Sequence, residues 1–357
     1  MSSTILSDLN EDSSSTFNVL ITGAAGFVGP LLAARLSSNP RIRLLLTDLT
    51  EPPVPAGAAH PHHVSVLAGD LTSPAFVADL LAHPAAQPRL HAVFILHGIM
   101  SSTSEANPAL SERVNVGSVQ LLCNSLMQSH ANSDSPVRVI YASSLAVFGP
   151  PFPSCPSSSR VKLPPTWRPT PQSTYGTHKL MTETYLNELH RRRRGLDVFT
   201  ARLPTVIVRA GAPSGAASSF LSGIIREPMR GVECAVPLLD RRFRAFVASP
   251  RAVVENLTRL MKMDSGVLPS HVRQLLLPGV SVSVQELRDA LARYGGEDKL
   301  KWIREEVDEG VERILKSWPE DFEIDEGLEL GLVVDEGADG IVREYIEGLG
   351  GPIEATD

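Results

Sequence analysis

The chain has 357 residues, of which 43% are hydrophobic, and a formal net charge of -7 at neutral pH. This length allows one large or two smaller domains with a sizeable buried core. The negative charge gives no general attraction to nucleic acid or to anionic membranes, and no apolar run reaches the roughly 18 residues that span a bilayer. The N-terminal stretch lacks the basic start and apolar segment of a signal peptide. We therefore expect a cytoplasmic protein without nucleic-acid or membrane partners.

The three cysteines, Cys123, Cys155 and Cys234, are widely spaced along the chain. Their positions do not match the ligand spacing of a metal site, and an odd number does not suit a disulfide framework. We expect free thiols in a reducing compartment and no bound metal.

Short apolar strands alternate with segments of helical periodicity from Phe17 onward, after a polar, acidic stretch at residues 1–16 that is predicted to be a disordered leader. Helical patterns between the strands include a long one over 110–129 and another over 173–194. Such strands, buried between helices, are typical of a parallel sheet covered on both faces, so we predict a doubly wound α/β (Rossmann) fold. The strand segments are FNVLIT, RIRLLLTDL, HVSVLAGDL, LHAVFILHG, VRVIYASS and DVFTARLPTVIV.

A glycine-rich turn joins the first strand to the first helix, where ITGAAGFVG places Gly23, Gly26 and Gly29. Small residues at such a turn let the backbone approach a pyrophosphate at a helix N-terminus, where amide dipoles favour anions. Other tight strand-helix turns also use glycine, but the flanking strand and helix favour a dinucleotide site. The candidate cofactor contacts in this turn are Gly23, Ala25, Gly26, Phe27 and Val28.

Aspartates end the second and third strands. Asp48 lies nineteen residues after Gly29, where an acid accepts hydrogen bonds from the adenosine ribose hydroxyls. Its charge would repel a 2′-phosphate, and no Arg or Lys follows in TDLTEPPVP to bind one, so the sequence predicts NAD rather than NADP. Asp70 and Leu71 could contact the adenine or could simply form a turn.

A serine at a strand end and a Tyr-Lys pair on a helix form the candidate catalytic set. Ser144 ends VIYASS, and Tyr175 and Lys179 are four residues apart in YGTHK, so both can face one cleft. An ammonium beside a phenol favours the phenolate and lowers a pKa that is ordinarily near 10. Such a tyrosine can take the proton of an alcohol whose carbon gives a hydride to nicotinamide, while Ser144 holds the same oxygen.

A proline-rich segment, residues 150–172, lies between the two halves of this set. It could be a linker. Its place between two candidate active-site segments favours a long loop over the site.

The motifs TGAAGFVG, AGDL, RVNVGSVQLL, VIYASSLAVFG and YGTHK occur in the order and spacing of extended short-chain dehydrogenases/reductases, the NAD-dependent epimerase/dehydratase family. The resemblance covers about residues 17–210 and implies catalytic roles for Ser144, Tyr175 and Lys179, with Lys179 also binding ribose. Asn115 in VNVGS matches a helix asparagine that supports the cofactor site or a proton relay in the family; it could equally be a polar residue inside a helix.

The chain is also predicted to contain two functional regions. Residues 17–205 are predicted to form the NAD-binding domain with the catalytic residues. Residues 206–357 are predicted to form a smaller α/β region that mainly binds the substrate. Relatives commonly pair through the helices that carry Asn115 and Tyr175, which implies a homodimer.

Many members of the family act on nucleotide sugars and carry an asparagine after the sixth strand that helps to hold the diphosphate. Here the stretch ARLPTVIVRAG has Thr205 at that position. The segment 202–231 and the later VASPRAVVENL resemble the D-erythronate dehydrogenase group of the family. This resemblance implies NAD-dependent oxidation of a short polyhydroxy acid at its 2-hydroxyl to the 2-oxo acid, with Tyr175 as the base.

An acid substrate needs a cation or several hydrogen-bond donors for its carboxylate. The sequence offers three arginines for this purpose, each of which could instead form a surface ion pair. The candidate substrate residues are Ser144, Thr205, Arg209, Ser218, Ser219, Arg226 and Arg244.

Two other functions are compatible with the motifs. The chain could be a nucleotide-sugar epimerase or dehydratase that keeps NAD bound and returns the hydride. It could also be a non-catalytic protein that senses nicotinamide cofactors. The presence of Ser144, Tyr175 and Lys179 favours an enzyme over a sensor, because sensors of this fold usually lose the tyrosine or the lysine.

Overall fold

The computed structural model of the protein describes residues 16–130, 135–153, 161–192, 195–213 and 216–349. The predicted leader lies outside these ranges except for its last residue, and so does Cys155. None of the helices in this part of the chain is long and apolar enough to cross a membrane.

Twelve strands occur within the described ranges. They are β1 (Phe17–Thr22), β2 (Ile42–Asp48), β3 (Val64–Ala68), β4 (Ala92–Ile95), β5 (Val137–Ser144), β6 (Leu196–Leu203), β7 (Thr205–Val206), β8 (Cys234–Val236), β9 (Arg244–Ala248), β10 (Gln274–Leu276), β11 (Val280–Ser283) and β12 (Ile303–Glu305).

Helices separate most of these strands, as the alternating pattern predicts. They are α1 (Val28–Ser37), α2 (Pro74–Ala82), α3 (Ser101–Ala106), α4 (Pro108–Glu112), α5 (Ser118–Ser129), α6 (Thr174–Arg191), α7 (Ser219–Met229), α8 (Pro250–Lys262), α9 (Val284–Gly295), α10 (Glu309–Lys316), α11 (Asp325–Glu329) and α12 (Gly337–Gly348).

A seven-stranded parallel sheet forms the centre of the fold, in the order β10-β6-β5-β4-β1-β2-β3. The chain reverses its direction of travel across the sheet between β1 and β4, and nucleotides bind at the carboxyl ends of strands at such a point. A three-stranded sheet, β11-β9-β7, and a two-stranded one, β12-β8, lie in the C-terminal half. The predicted doubly wound α/β fold is confirmed.

Side-chain alternation along the strands divides the core between the two faces of the large sheet. In β1, Val19 and Ile21 pack on the face covered by α1 and α8, whereas Leu20 packs on the face covered by α2, α5 and α6. All three side chains are at most 1% exposed, as expected for a strand that is covered on both sides.

Pro204 divides the last predicted strand into two. β6 ends at Leu203 in the large sheet, and β7 continues beside β9 in the smaller one. Proline has no N–H to donate to a ladder, so the chain changes sheets there.

A π-helical turn, Arg113–Gly117, interrupts the helix predicted over 110–129. The backbone carbonyl of Asn115 within this turn accepts a hydrogen bond of 2.9 Å from Thr182 Oγ1 on α6. Such turns are frequent at functional sites.

The edge strand β10 comes from residues that the sequence assigned to the substrate region. It pairs with β6 through three residues, Gln274 with Thr200, Leu275 with Ala201 and Leu276 with Arg202. The large sheet therefore draws on both sides of residue 205, and the predicted functional division there stays a prediction.

A buried ion cluster fixes the amino-terminal ends of β5 and β6. Asp197 accepts hydrogen bonds from Arg138 Nε at 2.8 Å and from Ser265 Oγ at 2.6 Å, and Arg273 Nη2 lies 3.4 Å away. Both guanidinium groups also lie over the ring of Phe199, at 4.8 Å and 4.5 Å from its centroid. Arg138 further donates to carbonyl groups at the end of α8, so that the cluster joins four segments of the fold.

We expect Asp197→Asn to lower the free energy of unfolding by about 3–5 kcal/mol, because it leaves two buried arginines without a counter-charge. Urea unfolding followed by circular dichroism measures the change. The control is Glu188→Gln, whose carboxylate pairs with the exposed Arg191 and Arg192 and whose loss should leave the transition in place. Equal transitions in wild type and Asp197→Asn would contradict this role of the cluster.

Candidate active site

The candidate catalytic residues meet at the carboxyl ends of the central strands. Ser144 is the last residue of β5, and α6 is the crossover that leads from β5 to β6. Ser173 caps α6 by accepting a hydrogen bond from Gly176 N at 3.1 Å, which fixes the first turn of the helix and Tyr175 within it. The fold thereby places Tyr175 and Lys179 on the buried face of α6.

The glycine-rich turn can exist only with glycine at two positions. Gly23 has φ +70°, and a Cβ atom there would lie 2.6 Å from His97 N. A Cβ atom at Gly29 would lie 2.6 Å from Ala24 Cα. The turn is therefore packed directly against the segment that follows β4, as a backbone that must approach a ligand closely requires.

The N-terminus of α1 fits the diphosphate of a dinucleotide. Phe27 is the N-cap residue and makes no side-chain hydrogen bond to the first turn. Ala25 and Gly26 are exposed, and Phe27 and Val28 are half-buried. Backbone N–H groups without a side-chain cap at a helix start are the groups that bind phosphate oxygens.

The two aspartates differ in their local contacts. Asp48 accepts hydrogen bonds from Ala25 N at 2.9 Å and from Leu49 N at 2.7 Å, which places its carboxylate against the glycine-rich turn. Asp70 accepts one from Thr72 N at 2.8 Å in the turn after β3, and Leu71 is buried beside it. A contact of this second pair with adenine stays a prediction.

His97 lies behind the glycine-rich turn and was not identified from the sequence. Its Nδ1 is 2.7 Å from Thr22 Oγ1 and its Nε2 is 2.7 Å from Ser118 Oγ. Burial, together with the charge of Lys179, lowers the pKa of His97 to about 3. The ring is therefore neutral at ordinary pH and joins β1 to α5 at the edge of the site.

Tyr175 is buried, at 9% exposure, beside Ser144. Burial raises its pKa above the ordinary value, and the charge of Arg209 and the neighbouring Ser144 hydroxyl offset only part of that rise. Lys179 Nζ lies 5.6 Å from the centroid of the Tyr175 ring and donates instead to Ala142 O at 2.7 Å. In this structure Arg209, rather than the expected Lys179, is the cation that lowers the pKa of the tyrosine.

Lys179 is itself a buried cation, at 4% exposure. Burial lowers its pKa to about 8, and the charge of Glu183 acts in the opposite direction. Its Nζ also lies 4.7 Å from the centroid of the Tyr141 ring, a favourable position for an ammonium group. The side chain of Lys179 thus extends from α6 to β5, one helical turn beyond Tyr175.

The side chain of Asn115 ties the π-helical turn to the segment after β4. Its Oδ1 accepts a hydrogen bond from Ile99 N at 2.9 Å, and its Nδ2 donates to Ile99 O and Ser111 Oγ, each at 3.1 Å. Two roles were predicted for Asn115, support of the cofactor site and a polar residue inside a helix. Both are compatible with this geometry, because the residue lies beside the site and also satisfies local backbone groups.

Arg209 is the arginine that the fold brings to Tyr175. Its guanidinium carbon lies 6.0 Å from the ring centroid of Phe27 in the glycine-rich turn. Arg226 is buried, donates to Arg209 O at 2.8 Å and pairs with Glu227. Arg226 therefore fixes the backbone of Arg209.

The remaining substrate candidates lie around α7, β7 and β9. Ser218 is the buried N-cap residue of α7 and Ser219 is its first helical residue. Arg244 donates to Ser281 O at 2.6 Å and pairs with Glu286 at 2.9 Å. It therefore forms an ion pair, which was the alternative to a role in substrate binding. Thr205 and Arg244 line one small cavity, whose other lining residues include Leu145, the neighbour of Ser144.

A network of charged and polar side chains beneath Lys179 was not predicted from the sequence. Glu183 is fully buried and binds Arg202 and Ser143. The spacing of Tyr175, Lys179 and Glu183, each four residues apart, could have placed the glutamate on the same helix face. Across the described ranges, no group of three or more His, Cys, Asp or Glu is placed to hold a metal ion.

The sequence is similar to proteins of one known family. The sequence model of the NAD dependent epimerase/dehydratase family matches residues 19–247. A D-erythronate dehydrogenase of Haemophilus influenzae is 32% identical over 92% of this chain and 98% of its own length. A D-erythronate dehydrogenase of Cupriavidus necator is 34% identical over 93% of this chain and 99% of its own length.

Solved structures share the whole architecture. The crystal structure of a nucleoside-diphosphate-sugar epimerase from Agrobacterium tumefaciens is 31% identical and superimposes with a TM-score of 0.83 over 95% of this chain and 96% of its own. A holo L-threonine dehydrogenase from Cupriavidus necator, 20% identical, has the same fold with a TM-score of 0.77 over 93% of this chain and 99% of its own. The chain therefore belongs to the NAD dependent epimerase/dehydratase family and is an NAD-dependent oxidoreductase of the extended short-chain dehydrogenase/reductase type.

Proposed function

We propose that the protein oxidises a short polyhydroxy acid of the D-erythronate type at its 2-hydroxyl to the 2-oxo acid, with Tyr175 as the base. The observation that carries this proposal is the position of Arg209. Tyr175 is buried beside Ser144 and lies within the electrostatic influence of that arginine. The two relatives named D-erythronate dehydrogenase support the same substrate class.

The position of a cation beside the base suits a 2-hydroxy acid in particular. In such an acid the carboxylate is bonded directly to the carbon whose hydroxyl loses its proton, so that one pocket must bind both groups. Arg209 donates from Nε to Val206 O at 3.0 Å, and its charge acts on Tyr175. Because of this position beside the base we assign Arg209 to the carboxylate, with Arg226 as the residue that fixes its backbone.

NAD would lie across the carboxyl ends of the strands, where the structure fits it. The N–H groups at the start of α1 would hold the diphosphate beside the glycine-rich turn, Asp48 would hold the adenosine ribose and Lys179 the nicotinamide ribose. The chemistry that NAD would supply there is acceptance of a hydride from the substrate carbon.

The protein's own groups would handle the proton and the oxygen. Ser144 would donate a hydrogen bond to the substrate oxygen and fix its distance to Tyr175. Tyr175 Oη, as phenolate, would take the hydroxyl proton while the carbonyl forms. Arg209 would favour the phenolate before the reaction, because its charge lowers the pKa of that tyrosine.

A nucleotide-sugar epimerase or dehydratase is the second candidate, and the similarity to the Agrobacterium tumefaciens sugar epimerase favours it. An epimerase returns the hydride to its substrate, whereas the proposed dehydrogenase releases NADH. Thr205, at the position of the family's diphosphate-binding asparagine, is a buried residue of β7 and favours the dehydrogenase.

The family resemblance also supports further assignments. We propose that residues 17–205 hold NAD and the catalytic groups, that residues 206–357 mainly bind substrate, and that the protein is a cytoplasmic homodimer. The proposed contact is between copies of α5 and α6. Met181, on the solvent-facing side of α6, is 44% exposed and is available for such a contact.

Asp48→Ala should weaken NAD binding and increase the relative use of NADP, because a carboxylate at the ribose position repels a 2′-phosphate. The ratio of kcat/KM for the two cofactors measures this preference. Asp70→Ala is the matched control and should leave the ratio unchanged, since that carboxylate lies in the turn after β3. A wild-type protein that already prefers NADP would contradict the assignment.

Tyr175→Phe should lower turnover by about 100-fold or more while the fold and the affinity for NAD are retained, since only the proton acceptor is lost. Circular dichroism and NAD titration establish the folded, NAD-bound state, and NADH absorbance gives the rate. Near-normal turnover in the folded variant would show that another group takes the proton.

D-Erythronate or a related four-carbon sugar acid should produce NADH, and UDP- and GDP-sugars should not. The free acid should exceed its amide by about 1–3 kcal/mol of transition-state stabilisation, the range for a charged hydrogen bond. This preference should disappear in Arg209→Met and persist in Arg244→Met, which removes an arginine paired with Glu286. Turnover of a nucleotide sugar with no response to any acid would instead establish the epimerase function.

A further inference from the structure

Glu183 occupies the third position of the helix face that carries the base. Tyr175, Lys179 and Glu183 follow one another at intervals of four residues on α6, and all three side chains are buried. Glu183 is fully buried, at 0% exposure. A glutamate is almost never found at such a depth unless its charge is paired, so the contacts of this carboxylate show its role.

Both oxygens of the carboxylate accept hydrogen bonds from the ends of two neighbouring strands. Ser143 Oγ, at the end of β5, donates to Oε1 at 2.6 Å. Arg202, at the end of β6, donates from Nε to Oε1 at 3.0 Å and from Nη2 to Oε2 at 2.7 Å. This bidentate geometry is the strong form of an arginine–carboxylate pair.

Arg202 extends the network away from the helix. Its guanidinium lies 4.9 Å from the ring centroid of Phe148, and its Nη1 lies 3.4 Å from Pro165 O in the proline-rich segment. The carboxylate of Glu183 therefore joins α6 to the ends of β5 and β6 and, through Arg202, to the proline-rich segment.

The polar groups around Lys179 include one anion. Ala142 O and the Tyr141 ring come from β5, and His97, which is neutral, comes from the segment after β4. Glu183 is the carboxylate in the described ranges whose charge acts on the lysine. Burial lowers the pKa of Lys179 to about 8, and Glu183 raises it. Without that carboxylate, the lysine and Arg202 would be buried cations with no counter-charge nearby.

We propose that Glu183 is a positioning residue: its carboxylate lies one turn along the same buried helix face as the counter-charge of Lys179, and its bond to Ser143 fixes the strand end that carries Ser144. It contacts neither the substrate nor the cofactor and acts through these two neighbours. The consequence is an alkaline limit on NAD binding. As pH rises, Lys179 loses its proton and the affinity for NAD falls. The charge of Glu183 shifts this fall in affinity to higher pH.

The inference rests on the proposed role of Lys179 in binding NAD, so the readout is the dissociation constant of NAD rather than turnover of a particular acid. Isothermal titration over a pH series from neutral to alkaline gives the midpoint at which binding weakens. If no acid is oxidised but this midpoint behaves as expected, the substrate assignment fails and the role of Glu183 stands. If NAD does not bind, or binds without any dependence on pH, the role of Glu183 fails.

Two substitutions separate charge from geometry. Glu183→Gln keeps the shape and removes the charge, and we expect its midpoint about one pH unit below that of the wild type. Glu183→Asp keeps the charge with a shorter reach, and its midpoint should stay close to that of the wild type even if the protein is less stable. A Glu183→Gln midpoint equal to that of the wild type, or an equal shift in Glu183→Asp, would overturn the proposal.

Glu188→Gln is the matched control, because it removes a carboxylate from the exposed surface of the same helix. Its midpoint should match that of the wild type; a shift as large as that of Glu183→Gln would show a general effect of net charge and overturn the proposal.

Glu183→Gln leaves Arg202 buried without a counter-charge and could fail to fold. The double variant Glu183→Gln/Arg202→Met then carries the test, because replacing both members of a buried pair is tolerated better than removing one. Glu183 is the charge that acts on Lys179, so the midpoint of the folded double variant should still lie below that of the wild type. An unchanged midpoint would overturn the proposal.

Discussion

The register of β5 against β6 is the constraint on which the candidate active site depends. Eight consecutive residues of each strand pair in parallel, from Val137 with Leu196 to Ser144 with Leu203. In this register Ser143 lies beside Arg202, and both side chains reach the carboxylate of Glu183 on the crossover helix α6. A slip of one residue would turn every side chain to the opposite face and separate Ser144 from the helix that carries Tyr175.

Buried ion pairs hold this register at both ends. At the amino-terminal end Arg138 and Asp197 are direct partners in the ladder and also form an ion pair of 2.7 Å. At the carboxyl-terminal end Arg202 pairs with Glu183 at 2.7 Å. Buried pairs of this kind add little net stability compared with apolar side chains, but each is costly to break. We infer that their main effect is on specificity, because a slipped ladder would break both at once.

The elements that the sequence predicted well are those whose signal is local. The glycine-rich turn, the apolar strands β1 to β5 and the Tyr-Lys spacing can each be recognised within about ten residues of sequence. The edge strand β10 could not, because three residues carry too little periodicity and its identity depends on pairing with β6. The split at Pro204 was not predicted, because DVFTARLPTVIV was interpreted as one strand, and the sheet that receives β7 depends on its pairing with β9.

The partners of charged groups were the least predictable part of the site. Arg226 and Arg244 were both candidates for a substrate carboxylate, and their actual partners are Glu227 and Glu286. Glu286 lies forty-two positions from Arg244, and no pattern within the sequence joins them. In the same way the sequence assigned the tuning of Tyr175 to Lys179, four residues away, whereas the structure gives that effect to Arg209 from a distant segment.

The position of Arg209 couples binding of the substrate carboxylate to proton transfer in the proposed reaction. Its charge offsets part of the rise that burial causes in the pKa of Tyr175, and so favours the phenolate relative to a site without that arginine. A substrate carboxylate bound to the same guanidinium would offset that charge and raise the proton affinity of the phenolate just when a proton must be taken up. An uncharged analogue would leave the phenolate a weaker base. Preference for an acid would then arise in the chemical step as well as in binding, since one arginine acts on both groups.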